Sequence, residues 1–163
     1  MLSRDILLTM YHYNHDINNR LLGFARHVTP QQWLAPLEAG QWNLHQILFH
    51  ILSVEEEWLT VSKHGTPIWD SRSITDFPDV DSLLALSDQA YQTFLPYIES
   101  LTDDILTSTV NALMPDGLVK DEVIWHMLLH NFYHSAQHRS EVAVLLTRYG
   151  HSPGFIDIYG YIL

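Results

Sequence analysis

Four histidines recur at every fourth position towards the carboxyl end of the chain, which has 11 histidines but only 8 lysines and arginines together. If the segment is helical, His126, His130, His134 and His138 follow one side of it, with a drift of about 40° per step. A neutral imidazole nitrogen binds a zinc-like ion at about 2.0–2.1 Å. Two imidazoles four residues apart on one helix face can bind the same ion. The spacing therefore indicates metal binding by those rings that face the same way.

The apolar residues of the same segment indicate which histidines face the core. With His130 at zero on a helical wheel, the apolar positions occupy an arc from about 20° to about 160°. His134, at about 40°, and His138, at about 80°, lie within this arc. His130 lies at its edge, His126 lies outside it, and Glu141, at about 20°, points inward. The arc is defined by Val123, Ile124, Met127, Leu128, Val142, Leu145 and Leu146.

A pair of histidines on one helix is only bidentate, so a further ligand must come from another element. An earlier predicted helix offers His50 at the shoulder of its buried arc, with Glu57 seven residues later. Because facing helices of a bundle bring such side chains together, His50, His134 and His138 form a candidate three-nitrogen site. Three protein ligands leave a coordination position open for water or substrate, which is typical of a catalytic site.

Each of these residues also has a less specific interpretation. Two inward histidines could hydrogen-bond buried carbonyl or carboxylate groups instead of a metal. We expect His130 to support a ligating ring or to pack, although a role as fourth ligand stays open. Glu57 and Glu141 could be general bases, could hold the second N–H of a ligating imidazole, or could be solvated or capping residues.

Several other residues are expected in ordinary structural roles. The run of three glutamates at 55–57 is typical of a solvated helix face. Three isolated histidines are expected at the surface or hydrogen-bonded within the protein, namely His45, His64 and His151. Four tryptophans are expected in the core, namely Trp33, Trp42, Trp58 and Trp125.

Two amphipathic helices are predicted in the first half of the chain. Apolar residues three or four apart run from Ile6 to Val28, and the following Thr-Pro pair at 29–30 ends the first helix. The second helix begins at Asn43, a good N-cap that forms a capping-box pattern with Gln46. The Gly-Thr-Pro sequence at 65–67 ends it, and residues 66–80 are predicted to form a loop.

Two more helices are predicted in the second half. The third begins near 79–81 and runs to about residue 101, with Pro96 expected to kink or shorten it. Residues 102–118 are ambiguous apart from a turn at 114–117. The fourth helix is predicted over 120–149, with Gly150 as its stop and a short apolar tail that folds back. The predicted fold class is all-α, a four-helix bundle with long connections and a short C-terminal tail packed on the bundle.

Composition excludes several classes of protein. The 163 residues, 47% of them hydrophobic, suit a single domain over 1–163. The net charge of −11 argues against a nucleic acid or an anionic membrane surface as partner, and against a highly anionic substrate unless the cleft differs from the average surface. The absence of cysteine excludes disulfides, thiolate metal sites and a cysteine nucleophile. With no signal peptide and no long apolar run, a cytoplasmic protein is expected.

Three segments together resemble the DinB/YfiT-like superfamily of metal-binding four-helix bundles. Residues 130–139, HNFYHSAQHR, are similar to the helical histidine motif of that family, which ends in His-Arg. Residues 42–50, WNLHQILFH, resemble its Trp-Ser-like helix start and first ligand. Residues 150–154, GHSPG, followed by Asp157 and Tyr161, resemble its ending. One departure is Ser140, where a glycine often follows the His-Arg pair.

The resemblance implies a metal triad of one histidine from the second helix and a pair from the last. These positions are His50, His134 and His138, the same three that the helical wheels select. It further implies a divalent ion, nickel or zinc before iron or manganese, and a homodimer. Characterised members of the family include thiol-dependent isomerases and S-transferases, so the implied partners are a small-molecule substrate and a low-molecular-weight thiol.

We therefore expect a metal-dependent enzyme, either a hydrolase or a thiol-dependent S-transferase or isomerase, of unknown substrate. The ion would lower the pKa of a bound water or activate a thiolate. In the thiol-dependent reaction the cosubstrate supplies the sulfur, because the chain contains no cysteine. Arg139 could hold a substrate carboxylate or could lie at the surface.

Two other functions are weighed against this expectation. A non-catalytic, stress-related module that binds a metal or ligand would be favoured by a fourth strong ligand closing the coordination shell, with His130 the candidate. A carboxylate-bridged di-iron bundle would need Glu-x-x-His motifs on two helices. The chain has only the reverse order, at His138 and Glu141, which disfavours a di-iron site.

Overall fold

A computed structural model describes residues 3–36, 38, 40–66, 72–114 and 116–162 of the protein. Four long helices form the bundle, and short helices, a 3-10 turn and a β-hairpin lie between or after them. In chain order the elements are α1 (Arg4–Ala25), α2 (Pro30–Leu34), α3 (Leu44–His64), the 3-10 turn (Ile74–Asp76), α4 (Val80–Ser100), α5 (Asp103–Thr107), β1 (Thr109–Leu113), β2 (Val119–Val123), α6 (Ile124–Arg148) and α7 (Tyr159–Ile162). The predicted all-α fold class and four-helix bundle are confirmed.

The start of α3, which places His50, follows from the predicted capping box. The Asn43 side chain accepts a hydrogen bond from the backbone N–H of Gln46 at 2.9 Å, and the Gln46 side chain accepts one from the backbone N–H of Asn43 at 3.0 Å. Two backbone donors at the helix start are thereby satisfied. The helix ends at Gly65, whose φ of 72° lies in the left-handed region that favours glycine.

The first helix differs from its prediction in both its end and its buried face. It ends at Ala25, and the connection that follows contains the short helix α2. Leu7 and Tyr11 are buried, whereas Ile6 is 49% exposed. The predicted stripe was therefore about one residue out of phase in the first half of the helix, whereas Ile17 and Leu21 are buried as predicted.

The last long helix begins later than predicted, at Ile124 instead of residue 120. Residues 119–123 form β2, which pairs with β1 in an antiparallel hairpin. Val119 and Val123 are four residues apart, a spacing that fits a helix, but β-branched side chains favour an extended strand. The hairpin therefore replaces the first turn of the predicted helix.

The other connections complete the second half of the fold. The helix α4 continues through Pro96 to Ser100, so the proline does not shorten it. The ambiguous stretch at 102–118 contains α5 and β1, and the predicted turn joins the two strands, with Gly117 N donating to Met114 O at 2.9 Å. Pro115 of this turn, and residues 67–71 of the predicted loop at 66–80, lie outside the described residues.

The core is divided along α6 into two groups of apolar side chains. One group contains Val142, Leu145 and Leu146 of α6, and the other contains Met127 and Phe132. Helix α6 packs mainly on α3 and α1, and α1 also packs on α4. Burying each large aliphatic or aromatic side chain contributes about 1.5–3 kcal/mol. The middle of α6, between the two groups, carries the histidine pair and three buried polar side chains, Asn131, Ser135 and Arg139.

The C-terminal tail folds back along α1, as predicted. Tyr13 Oη donates a hydrogen bond to the carbonyl oxygen of Ile156 at 2.6 Å, and Arg20 Nη2 donates to that of Pro153 at 2.6 Å. Tyr161 Oη donates to Asp16 Oδ2 at 2.8 Å. Among the helices in the described ranges, none is long and apolar enough to cross a membrane.

Candidate metal centre

Three histidines from two helices meet at the middle of the bundle. His50 of α3 and His134 and His138 of α6 each offer one ligand atom, and these atoms lie within 4.8 Å of one another. The Nε2 atoms of His50 and His134 are 3.1 Å apart. Two nitrogens held at about 2.1 Å by one tetrahedral ion lie roughly 3.4 Å apart, so this spacing suits a shared ion.

The third ring is oriented by a carboxylate on its own helix. His138 Nδ1 lies 3.0 Å from Glu141 Oε2, one turn further along α6. If His138 donates its Nδ1 proton to Glu141, the lone pair of its Nε2 is left for a metal. The carboxylate therefore fixes both the tautomer and the direction of this ring.

The environment keeps two of the rings neutral, which is the form that binds a metal. Burial lowers the pKa of His134 to about 4, and the neighbouring His138 and His50 add to the effect. Burial, followed by the charge of His138, also lowers the pKa of His50. His134 Nδ1 is buried and has no hydrogen-bond partner among the described residues. The donor set, three imidazole nitrogens beside an open pocket, fits a zinc-like divalent ion.

The remaining predicted residues surround this cluster without belonging to it. His130 is exposed, its ring lies edge-on to Trp58 at 4.8 Å and its centroid is 6.0 Å from that of His134. Glu57 is half-buried on α3 and is outside the three-histidine group. His126 is exposed and packs against the neighbouring Trp125.

Arg139 lies inside the bundle, so the surface alternative for this residue is wrong. Its side chain is 2% exposed, and Nη1 donates to the side-chain oxygens of Asn14 and Asn18 on α1. Its guanidinium also lies 5.0 Å from the ring centre of Tyr13. Successive residues of a helix are rotated by about 100°. The His138 side chain therefore lies in the histidine cluster, whereas the Arg139 side chain lies in the interior of the bundle.

A buried carboxylate completes this interior network, and the sequence did not reveal it. Glu55 is 7% exposed, in contrast to the solvated face expected for residues 55–57. Its Oε2 accepts hydrogen bonds from Asn14 Nδ2 at 2.8 Å and from Asn18 Nδ2 at 3.2 Å. The available signal was on α1, where two asparagines four residues apart occupy its buried face. They face α3 and α6 and connect Glu55 to Arg139.

Trp42 was expected in the core but forms one wall of the metal site. Its side chain is 45% exposed, with its ring centre 4.6 Å from that of His50 and 6.0 Å from that of His138. Trp33 is buried, and Trp58 and Trp125 are half-buried. Of the isolated histidines, His45 is buried and its Nε2 lies 2.7 Å from the carbonyl oxygen of Phe77, as expected for a satisfied polar residue.

A pocket of about 580 Å³ opens beside the histidine cluster. It shares His138 and Glu141 with the site, and Trp42 forms part of its wall. A cavity of this size can hold a small organic molecule. The arrangement thus combines a metal-ligand set with adjoining space for a substrate.

The family model of the DinB family matches residues 1–162. This chain belongs to the DinB family. A curated relative of this DinB protein is the uncharacterized protein YizA of Bacillus subtilis, 20% identical over 133 residues, which cover 80% of this chain and 82% of YizA.

Two solved structures from Bacillus subtilis have the same fold. The DinB-like protein YjoA superposes with a TM-score of 0.70 at 15% identity, covering 90% of this chain and 93% of YjoA. YfiT superposes with a TM-score of 0.69 at 17% identity, covering 93% of this chain and 92% of YfiT. YfiT is described as a probable metal-dependent hydrolase with an unusual four-helix bundle topology.

Proposed function

We propose that this DinB-family protein is a metal-dependent enzyme that binds one divalent ion through His50, His134 and His138. The observation that carries the proposal is the convergence of three imidazole nitrogens within 4.8 Å, next to an open pocket. Nickel or zinc is the preferred ion, because imidazole nitrogens suit both, with iron or manganese as alternatives. The description of YfiT as a probable metal-dependent hydrolase supports the same class of reaction.

The reaction is proposed to be hydrolysis or transfer of a low-molecular-weight thiol, with a small-molecule substrate. A divalent ion supplies Lewis acidity and lowers the pKa of a water or thiol that it holds. Glu141 would hold the Nδ1 proton of His138 and present its free oxygen towards the pocket, where it could accept a proton. Glu57 keeps the candidate role of a second proton acceptor, and Arg139 is left out because it lies in the interior.

The open side of the cluster favours catalysis over a purely structural metal site. A structural site normally has four protein ligands, whereas a catalytic one keeps a position for substrate. His130, the candidate fourth ligand, packs on Trp58 and is not in the metal-ligand group. A non-catalytic binding module is therefore the less favoured alternative.

The first test is the metal content of the untagged protein. Purified wild type should contain about one first-row ion per chain, measured by plasma mass spectrometry. His134→Ala and His50→Ala should lose the ion while retaining a helical circular dichroism spectrum. His126→Ala is a matched control, because His126 is exposed on the same helix and lies outside the cluster. A wild type that stays empty after supplementation with nickel, zinc, manganese and iron would sink the proposal.

A further inference from the structure

The pocket beside the histidine cluster has apolar walls on either side. Trp42 and Val144 are 45% and 54% exposed, although both side chains are large and apolar. Ile47 and Leu145, both buried in the core, contribute further apolar lining. Exposed apolar surface that is concave and shared with a metal-ligand set is the kind of surface that an organic ligand covers.

The described side chains that line the pocket carry negative charge and no lysine or arginine charge. Among the described lining residues, Glu141 is the carboxylate, His138 is the histidine, and there is no lysine or arginine. Arg139 is adjacent to His138 in sequence, but it is buried and bonded to Asn14 and Asn18 on another face of α6. Arg148, one turn after Val144, is not part of the lining. A carboxylate on the part of a ligand that lies away from the metal would therefore lose hydration, would meet the negative charge of Glu141, and would gain no pairing with a lysine or arginine of the described lining.

Trp42 connects the apolar pocket to the metal ligands. Its ring stacks at 26° on His138 and lies edge-on to His50. A flat apolar group placed against the exposed part of this indole would extend from the open side of the histidine cluster. Offset or edge-on contact between aromatic rings adds to the free energy gained by burying their surface.

We propose that this pocket binds an uncharged, apolar group of aromatic-ring size on the molecule that reacts at the metal, and selects against a carboxylate there. The inference rests on the proposed function, since it assigns the substrate class of the same site. It is specific to the side chains of this chain, above all Trp42, Val144 and Glu141.

The test uses probes that share one metal-binding group and differ only in their tails. Acetohydroxamate, benzohydroxamate, and 3- and 4-carboxybenzohydroxamate are titrated into the cobalt-substituted protein, and binding is followed by the visible absorbance of the ion. Benzohydroxamate should bind about tenfold more tightly than acetohydroxamate, because the phenyl ring buries apolar surface. Each carboxylated probe should bind about tenfold more weakly than benzohydroxamate.

Two variants locate the selection in this pocket. Trp42→Ala should lose most of the preference for the phenyl tail, measured as the ratio of the benzohydroxamate and acetohydroxamate affinities, so that an effect on the neighbouring metal ligands cancels. Val144→Lys should bring a cation to the wall and bind the carboxylated probes at least about fivefold more tightly than wild type. Tyr133→Lys is the matched control, since Tyr133 is exposed on the same helix but does not line this pocket, and it should leave all four affinities within about twofold.

The outcomes separate this inference from the function on which it rests. If the protein takes up no cobalt or other ion, the proposed metal centre is wrong. If it binds the metal and acetohydroxamate, but the phenyl and carboxylated probes bind no differently, the metal centre stands and the pocket assignment is overturned. Equal effects of Val144→Lys and Tyr133→Lys would overturn it as well, since they would reflect net charge alone.

Discussion

Glu55 and Glu57 are two residues apart on α3, yet they lie in different environments. Glu55 is buried and accepts two amide hydrogen bonds, whereas Glu57 is half-buried. Burial raises the pKa of Glu55 to about 7, although the bond from Asn14 and the charge of Arg139 act in the opposite direction. The carboxylate and the guanidinium are therefore mutually dependent, since each reduces the cost of burying the other.

Removing one partner of this interior network should be costly. Glu55→Ala is expected to lower the free energy of unfolding by about 3–5 kcal/mol, because it leaves the Arg139 charge uncompensated in the interior. Glu57→Ala should lower it by no more than about 1 kcal/mol. Urea unfolding of the metal-free proteins at about pH 8, above the raised pKa of Glu55, measures both changes. Similar losses in the two variants would show that the buried network contributes little to stability.

Glu141 lies against the ring of His138, one of the proposed metal ligands. Glu141→Gln is expected to lower the affinity for the ion by about 10–100-fold, because the amide is a weaker acceptor for the Nδ1 proton. The affinity is measured by competition with a chromogenic chelator. Asp104→Asn removes an exposed carboxylate of α5 and controls for the change in net charge. If both variants bind the metal as wild type does, Glu141 does not orient His138.

The three clustered histidines were predictable from the sequence, whereas the buried network of Glu55 and Arg139 was not. The helical period of α6 is enough to turn His134 and His138 to one face, and the shoulder position of His50 follows from the apolar stripe of α3. Glu55 and Arg139 belong to a network that needs Asn14 and Asn18 from a third helix. A wheel drawn for one helix cannot show which polar residues of another helix meet it.

The same contrast applies to whole elements. Helix α3 was predictable at both ends, because its capping box and its glycine stop are local signals. The hairpin of β1 and β2 was not, because its pairing joins residues on either side of a turn and Val119 and Val123 also fit a helical spacing. The spacing of apolar residues predicts helix or strand correctly only where pairing with a strand distant in sequence does not favour the other structure.

Gly65 joins two of these elements, since it ends α3 and lies against β1. A Cβ added to Gly65 would lie 2.6 Å from the carbonyl oxygen of Asn111, and its φ of 72° is unfavourable for other residues. Gly65→Ala should therefore lower the free energy of unfolding by about 2 kcal/mol or more. Gly117→Ala is the matched control, with a φ of 79° and no atom within 4 Å of the added Cβ.

The difference between the two glycine variants isolates the contact with β1. Gly117→Ala should cost about 1 kcal/mol, from the backbone conformation alone. Thermal or urea unfolding of both proteins gives the comparison. Equal losses would mean that β1 moves away from the end of α3 at little cost, so that the hairpin is only loosely attached to the bundle.

At the scale of the whole molecule, the polar layer divides the core at the level of the proposed metal. Apolar groups lie towards both ends of α6, and the histidines and the interior network lie between them. A layer of buried polar groups adds less to stability than an apolar core of the same volume. Such a layer suits a site whose geometry matters more than its contribution to folding.

The histidines of this layer should lower the stability of the metal-free protein at acidic pH. The pKa of His134 is lowered from 6.5 to about 4 by burial, and that of His50 is lowered as well. Between pH 6.5 and about 4 these two histidines bind more protons in the unfolded chain than in the folded one, so their contribution to stability falls as the pH falls. Glu55 acts in the opposite direction, because its pKa is raised to about 7 in the folded protein. Urea midpoints are therefore measured with a chelator at pH 7, 6, 5 and 4.5 in wild type and in a variant without His134, and the difference between the two curves gives the contribution of this histidine. His134→Phe, which removes the titrating group, should show a smaller loss over the same range, because the carboxylates titrate alike in both proteins. Parallel curves for the two proteins would mean that His134 is protonated in the folded state as readily as in the unfolded one.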